Sequence, residues 1–321
     1  MNTACGKKEV KKMTAMTKKA PVAHKPKNRI YESKGEPLFQ AVLVIIFILM
    51  SITFVYPYWH VLVNSFEHPD FASASGFRFW PTKLTTDAYV HMFNADYLWR
   101  GYGNTLVVCF MGWALSISGV VLAAYPLSKR DLPFRGIFTA IIVATMFISG
   151  GMIPTFLLVN NTLKMGNTYW AVVLPSCISV SHVVIARNFF MGLPAELEEA
   201  AYIDGANSWQ ILWKVMLPLS TPVLATISLW VVVSNWNAYF NCLLYIQDSS
   251  KYVLQVVLRR IILTDSAEMT SSSNEIVTNL ETDMTTLRAA SIMLATVPIL
   301  CVYPFVQKHF AKGMLMGSLK G

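Results

Sequence analysis

Apolar residues in this chain neither recur at one helical face nor alternate as in a half-buried strand; they run on. Six stretches, residues 38–63, 104–128, 136–159, 169–186, 219–246 and 289–307, contain no Asp, Glu, Lys or Arg. A helix needs about 20 mainly apolar residues to cross the hydrocarbon core. Backbone inside a bilayer must satisfy its own hydrogen bonds, and these runs are too long and uniform for barrel strands, so each predicts a membrane-spanning helix. The fourth is the shortest and holds Pro175 and His182. The third holds Gly150-Gly151 close to Pro154, a combination that loosens a helix. Polar residues collect between the stretches, most densely before the first and in residues 191–222.

Composition agrees with that pattern. Of 321 residues, 54% are apolar and 14% charged, against roughly 25% charged in a soluble domain; the mean hydropathy is +0.46. A disordered chain, a disulfide-built secreted domain and a typical soluble enzyme are excluded. Cys5 precedes the first span, and the other four cysteines lie in apolar segments, where cysteine is a small hydrophobe. No C-x-x-C pair occurs, so the sequence suggests neither a metal site nor a redox motif.

Charge sets the expected orientation. Of the 26 Lys and Arg, ten precede the first span. With the N-terminus inside, 18 fall on the cytoplasmic side and 8 outside, so both termini are expected in the cytoplasm. The basic stretch 1–37 reads as a solvated cytoplasmic tail that sets the topology, with contact to anionic lipid headgroups as the alternative, and not as a cleaved signal peptide, because the apolar run after it is too long. The expected organisation is tail 1–37, a six-helix domain 38–310 with a cytoplasmic loop near 191–222, and a cytoplasmic tail 311–321.

Chemistry is conspicuously lacking. There is no phosphate-binding G-x-x-x-x-G-K-[ST], no H-E-x-x-H and no G-x-S-x-G, so no catalytic residue or cofactor is assigned. His60 and His182 are the only histidines in the spans; with no Asp, Glu, Lys or Arg there, a stand-alone proton-coupled carrier has little to work with. Energy for transport has to come from another chain.

Residues 191–222 read MGLPAELEEAAYIDGANSWQILWKVMLPLSTP. Pro194 suits a first helical position, and Glu196, Glu198 and Glu199 place negative charge in the first turn. Asp204-Gly205 signals a turn. Asn207 or Ser208 caps a second helix, which Pro218 is expected to end. Trp209, Leu212, Trp213 and Met216 fall on one helical stripe, which needs a partner surface or the lipid interface. With only Lys214 here and Arg187 just before, against four acidic residues, the balance argues against DNA, and no nucleic-acid partner is expected.

Glu199-Ala200-Ala201, then Asp204-Gly205-Ala206, then Leu217-Pro218 resembles the "EAA" loop of ABC-importer permeases with the MetI-like fold. Its place between the fourth and fifth spans matches the sugar-importer branch. The resemblance implies an all-α, six-span plasma-membrane permease, with this loop docked into a groove on a separate ATPase that binds the ATP. Glu199 would make a charged contact there, Ala200 and Ala201 would allow close approach, Asp204-Gly205 would form the bend, and Trp209, Leu212 and Trp213 would fill the groove ahead of Leu217-Pro218. It further implies two ATPase copies, a second homologous permease and an extracytoplasmic solute-binding protein.

The run Ser234-Asn235-Trp236-Asn237-Ala238-Tyr239-Phe240-Asn241 is similar to a W-N-x-F/Y pattern of that branch. Asn235, Trp236, Asn237 and Asn241 suit a path for hydroxyl-rich ligands, although amides also bond helix to helix. The ending Lys312–Gly321 resembles the branch's K-G-rich terminus, and the closest likeness is to permeases for plant-polysaccharide oligosaccharides of the aldouronate type. A non-sugar ABC permease and an exporter keep the same coupling logic. The two long outer connections, 64–103 and 247–288, are expected to hold short helices; aromatic residues of the first suit a binding protein or interfacial anchoring.

Overall fold

The computed structural model describes residues 36–72, 79–148, 150–263 and 285–301. The basic tail 1–35, the end of the sixth apolar stretch and the tail 311–321 lie outside the described residues. The chain divides into two compact units, Met1–Tyr56 and Pro57–Gly321.

Helix α1, Glu36–Ser65, runs across that division and is about 45 Å long at 1.5 Å per residue. Its first part is apolar all round: Leu38, Phe39, Val44, Ile45, Phe47, Ile48 and Leu49 are exposed, the signature of a helix built for lipid. The hydroxyls of Ser51 and Thr53 return to the carbonyls of Phe47 and Leu49 at 2.7 and 2.9 Å, so neither polar group is left unsatisfied.

In the second unit, α2 (Asp87–Asn94) leads into α3 (Asp96–Ser128), followed by α4 (Arg135–Ala144) and α5 (Met152–Leu157). Next come α6 (Tyr169–Ser176), α7 (Val180–Met191) and α8 (Ala195–Ile203). The remainder is α9 (Ser208–Leu219), α10 (Thr221–Trp236), α11 (Phe240–Tyr245), α12 (Leu254–Leu263) and α13 (Thr285–Cys301). Among the described residues no strand forms; Glu67 and Leu84 make an isolated bridge.

The 33-residue α3 is the axis of this unit, packed chiefly against α10, α7 and α12. Three apolar clusters line it. One joins Val120, Ala124 and Leu127 to α7, α9 and α10; another joins Leu98 and Cys109 to Trp236, Leu254 and Leu287; the third joins Val108 to Val172, Cys242 and Val253. At Gly112 a side chain would meet Asn235 of α10 at 2.5 Å, so hydrogen alone fits the seam between these helices.

Several expected spans are not continuous helices. The third breaks after Ala144: Gly151 adopts φ +82°, a left-handed conformation that costs glycine nothing, and a π turn at Leu158–Thr162 follows α5. The fourth bends by 55° between α6 and α7, next to the 3-10 turn holding Pro175. The fifth is α10, then a break at 237–239, then α11.

Within connections 64–103 and 247–288, the described residues form the expected short helices, Pro69–Ala72, α2 and α12. They also hold a feature hydropathy does not disclose. Glu67 is fully buried, and its carboxylate accepts the backbone N–H of Thr82 (2.8 Å) and of Lys83 (3.0 Å), a charge satisfied by backbone donors. Farther on, Asn167 at φ +59° accepts the N–H groups of Gln247 and Asp248, while Lys251 Nζ donates to its carbonyl at 3.0 Å.

Candidate functional site: the loop between α7 and α10

Pro194 stands at the cap and not inside α8, with ψ 129°. The missing N–H is harmless at either place, so the one-residue shift changes little. Glu196 and Glu198 lie in the first turn. Glu198 is not available to a partner: it pairs with Lys129 Nζ and accepts a hydrogen bond from Tyr125 Oη at 3.2 Å. The Lys129 ammonium also sits 4.2 Å from the centre of the Tyr125 ring. This clamp ties α8 to the end of α3, whereas Glu196, Glu199 and Ala200 are exposed.

Helix α8 ends in a Schellman turn. Gly205 N donates to Tyr202 O and Ala206 N to Ala201 O, both at 3.0 Å, with Gly205 at φ +80°. Ala201 and Ala206, the residues flanking the turn, both pack on the first apolar cluster, the contact that usually accompanies this motif. Asp204, the helix's last cap, is exposed. Asn207 then caps α9: its Oδ1 accepts Gln210 N–H and its own N–H donates to Gln210 Oε1, both at 2.9 Å, a capping box.

The single apolar stripe expected on α9 is divided. Leu212 and Met216 are buried with Ile211 in the first cluster, whereas Trp209 and Trp213 are 62% and 64% exposed. A π turn at Leu212–Met216 sets Met216 apart from Trp213, because an extra residue in one revolution rotates the side chains after it; Trp209 and Leu212 precede that rotation and divide at the edge of the buried side of the helix. Pro218 also departs from expectation. It does not end α9, which continues to Leu219 before an 80° bend into α10; Leu217 is half-buried on the cluster and Pro218 is exposed.

What remains outward is apolar: Ile203 is 86% exposed, Tyr202, Trp209 and Trp213 are exposed on the same loop, and so are the carboxylates of Glu196, Glu199 and Asp204. Exposed aromatic anchors with a charged rim are what a protein partner recognises. The opposite side of α9 packs in one cluster with α3, α7 and α10, so displacement of α9 bears directly on three helices. Charge reversal at Lys129 (Lys129→Glu) is expected to cost about 1–3 kcal/mol, and adding Glu198→Lys to restore most of it. Thermal unfolding of the purified variants checks this.

The four residues predicted to line a path have different surroundings. Asn235 abuts Gly112 and returns its Nδ2 to Val231 O at 2.8 Å. Trp236 is buried against Tyr102, its Nε1 3.3 Å from Ala295 O. Asn241 Nδ2 reaches Val172 O on α6 at 3.3 Å. Asn237 alone of the four opens onto a cleft of about 550 Å³, shared with Tyr58, Tyr239, Gln255 and Arg259. The Arg259 guanidinium lies 4.8 Å over the Tyr239 ring. Sequence reasoning missed Gln255 and Arg259, which sit on the polar side of the amphipathic α12. Of the two histidines, His60 Nδ1 meets Asn64 Nδ2 at 3.3 Å and His182 stacks on Trp230 at 5.7 Å.

Comparison with known proteins accords with this geometry. The profile of the family described as "Binding-protein-dependent transport system inner membrane component" matches residues 116–316. The polygalacturonan/rhamnogalacturonan transport system permease protein YtcP of Bacillus subtilis is 40% identical over 88% of this chain and 99% of its own length. An arabinooligosaccharides transport system permease, AraQ of Halalkalibacterium halodurans, is 28% identical over 90% of this chain and 99% of its own. Among solved structures, a chain of a bacterial ABC transporter involved in the import of the acidic polysaccharide alginate superposes with a TM-score of 0.80 at 31% identity, covering 87% of this chain and 98% of that one.

Proposed function

We propose, for a chain that belongs to the family of binding-protein-dependent transport system inner membrane components, that it is the permease subunit passing an oligosaccharide through an ABC importer. The observation that carries this reading is the loop from α7 to α10: an exposed Ile203, Trp209 and Trp213 face backed by a core shared with α3, α7 and α10. A separate ATPase seated on that face, with Glu199 at its rim, moves the helix bundle between inward- and outward-facing states as its own contacts change. ATP is bound by that partner and not by this chain, which supplies the pathway and performs no chemistry on the solute.

Six spans follow from the same reading: α1, α3, α4 with α5, α6 with α7, α10 with α11, and the segment containing α13. Both termini then face the cytoplasm, and the chain is a multi-pass protein of the inner membrane. A second homologous permease completes the pathway, two ATPases drive it, and a solute-binding protein delivers the cargo from outside, onto a surface that includes the exposed Phe79 and Trp80.

An acidic oligosaccharide is the substrate class best supported. One relative is named for polygalacturonan and one structural neighbour for an acidic polysaccharide. The cleft at Asn237 offers matching chemistry: amides for hydroxyls, tyrosine rings for sugar faces and Arg259 for a carboxylate. Uptake of labelled oligogalacturonate by vesicles holding the assembled importer tests this. Asn237→Leu is expected to reduce uptake about tenfold, and Asn235→Leu to lower thermal stability more than uptake. Equal uptake of neutral and acidic oligosaccharides of the same length would remove the acidic assignment.

A further inference from the structure

Two arginines from different helices converge on one carbonyl at the end of α3. Arg135 Nε donates to Leu127 O at 3.0 Å, and Arg187 Nε donates to the same oxygen at 2.9 Å. The two Nε atoms thus lie within about 6 Å of each other, close enough for two cations to repel strongly where water is scarce. Among the described residues neither pairs with a carboxylate; Arg135 Nη2 also meets Met191 Sδ at 3.1 Å.

Capping a helix C-terminus explains the Nε bonds but not the rest of each guanidinium. Both arginines line an open cleft of about 640 Å³ with Gly136, Thr139, Ala140 and Val143. Thr139 Oγ1 is buried with no hydrogen-bond partner among the described residues. Helical threonines commonly return the hydroxyl to the preceding turn, as Thr155 does to Gly151; Thr139 does not. On the same helix, Ile137, Phe138 and Ile141 are exposed. The site therefore has a doubly cationic mouth, an unused hydroxyl and an apolar wall.

Its position matters as much. Helix α3 is about 50 Å long, against about 30 Å of hydrocarbon, so its end reaches the headgroup layer. Basic pockets between helices at that level hold phospholipid headgroups.

We propose that the cleft between Arg135 and Arg187 binds the phosphate of an anionic phospholipid, whose acyl chains lie along α4. The guanidinium forks grip the phosphate oxygens, and the lipid's charge relieves the repulsion between the arginines.

Native mass spectrometry of the full chain, titrated with phosphatidylglycerol or phosphatidylcholine, tests the site. At least fivefold better retention of phosphatidylglycerol is expected, unaffected by millimolar inorganic phosphate, and R135Q/R187Q is expected to abolish the preference. Thr139→Leu puts a bulkier side chain into the wall between the two arginines while leaving both Leu127 anchors in place; it is expected to reduce retention at least threefold, and it decides the matter should the double variant misfold. Equal retention of the two lipids, or a preference that survives Thr139→Leu, would overturn the proposal. Displacement of the lipid by free phosphate would overturn it too, leaving a site for small anions.

Discussion

Proline at position 205 is expected to abolish ATP-driven uptake while leaving the chain inserted in the membrane. Gly205 holds φ +80°, and a proline ring fixes φ near −65°. The substitution also removes the N–H that donates to Tyr202 O. A Cβ at this position meets nothing within 4 Å, so the cost is one of backbone shape and not of crowding. Losing the turn separates α8 from α9 and scatters the Ile203, Trp209 and Trp213 face. Uptake is expected to fall at least tenfold, with copurification of the ATPase falling alongside. Gly205→Asn, which tolerates the left-handed region, is expected to keep most of the activity. Transport by the proline variant at the parent rate would mean that this elbow does not carry the drive.

The second large effect is expected at the seam of α3 and α10. Leucine at Gly112 has no room, because even a Cβ would stand 2.5–2.6 Å from three atoms of the Asn235 amide. That amide bonds to Val231 O, so making room for the new side chain breaks that bond. Overpacking of this kind costs about 3 kcal/mol, a fall of roughly a hundredfold in the folded-to-unfolded ratio. Thermal unfolding in detergent reads the loss. Combining Gly112→Ala with Asn235→Ala is expected to restore much of it, since the second change removes the obstacle. An unchanged melting temperature in Gly112→Leu would mean that the two helices do not meet at this point.

Long apolar runs located α1 and α3 because a membrane selects for hydrophobic length, and length is written directly in composition. The same measure is blind to continuity. Residues 136–159 are as apolar as a straight helix, yet Gly151 turns the chain. Cap chemistry was readable at Asn207, where side chain and backbone bond within three residues, and at Asp204-Gly205 for the same local reason. Trp209 and Leu212 show the limit: both are apolar and three apart, and only the packing of α3, α7 and α10 against one side of the helix decides that one lies outward and the other inward. Glu198 and Glu199 are adjacent and chemically alike, and only the placing of Lys129 from a distant helix gives them different fates. The path residues divide similarly. Asn235 lies on α10 and Asn237 just past its end; which one meets Gly112 and which meets open space depends on the neighbours.

Helix α3 is fastened at both ends by polar bonds. Near its start, Asn104 takes a hydrogen bond from Tyr169 at 2.8 Å and donates to the carbonyls of Ser250 and Tyr252 at 2.8 and 2.9 Å; at its finish stands the Lys129–Glu198 pair. About 36 Å of rod separates these anchorages, so a tilt of about 10° about one displaces the other by roughly 6 Å. A swing of that size is comparable to the width of a sugar ring, so a modest tilt of this strut is enough to remake the space beside it.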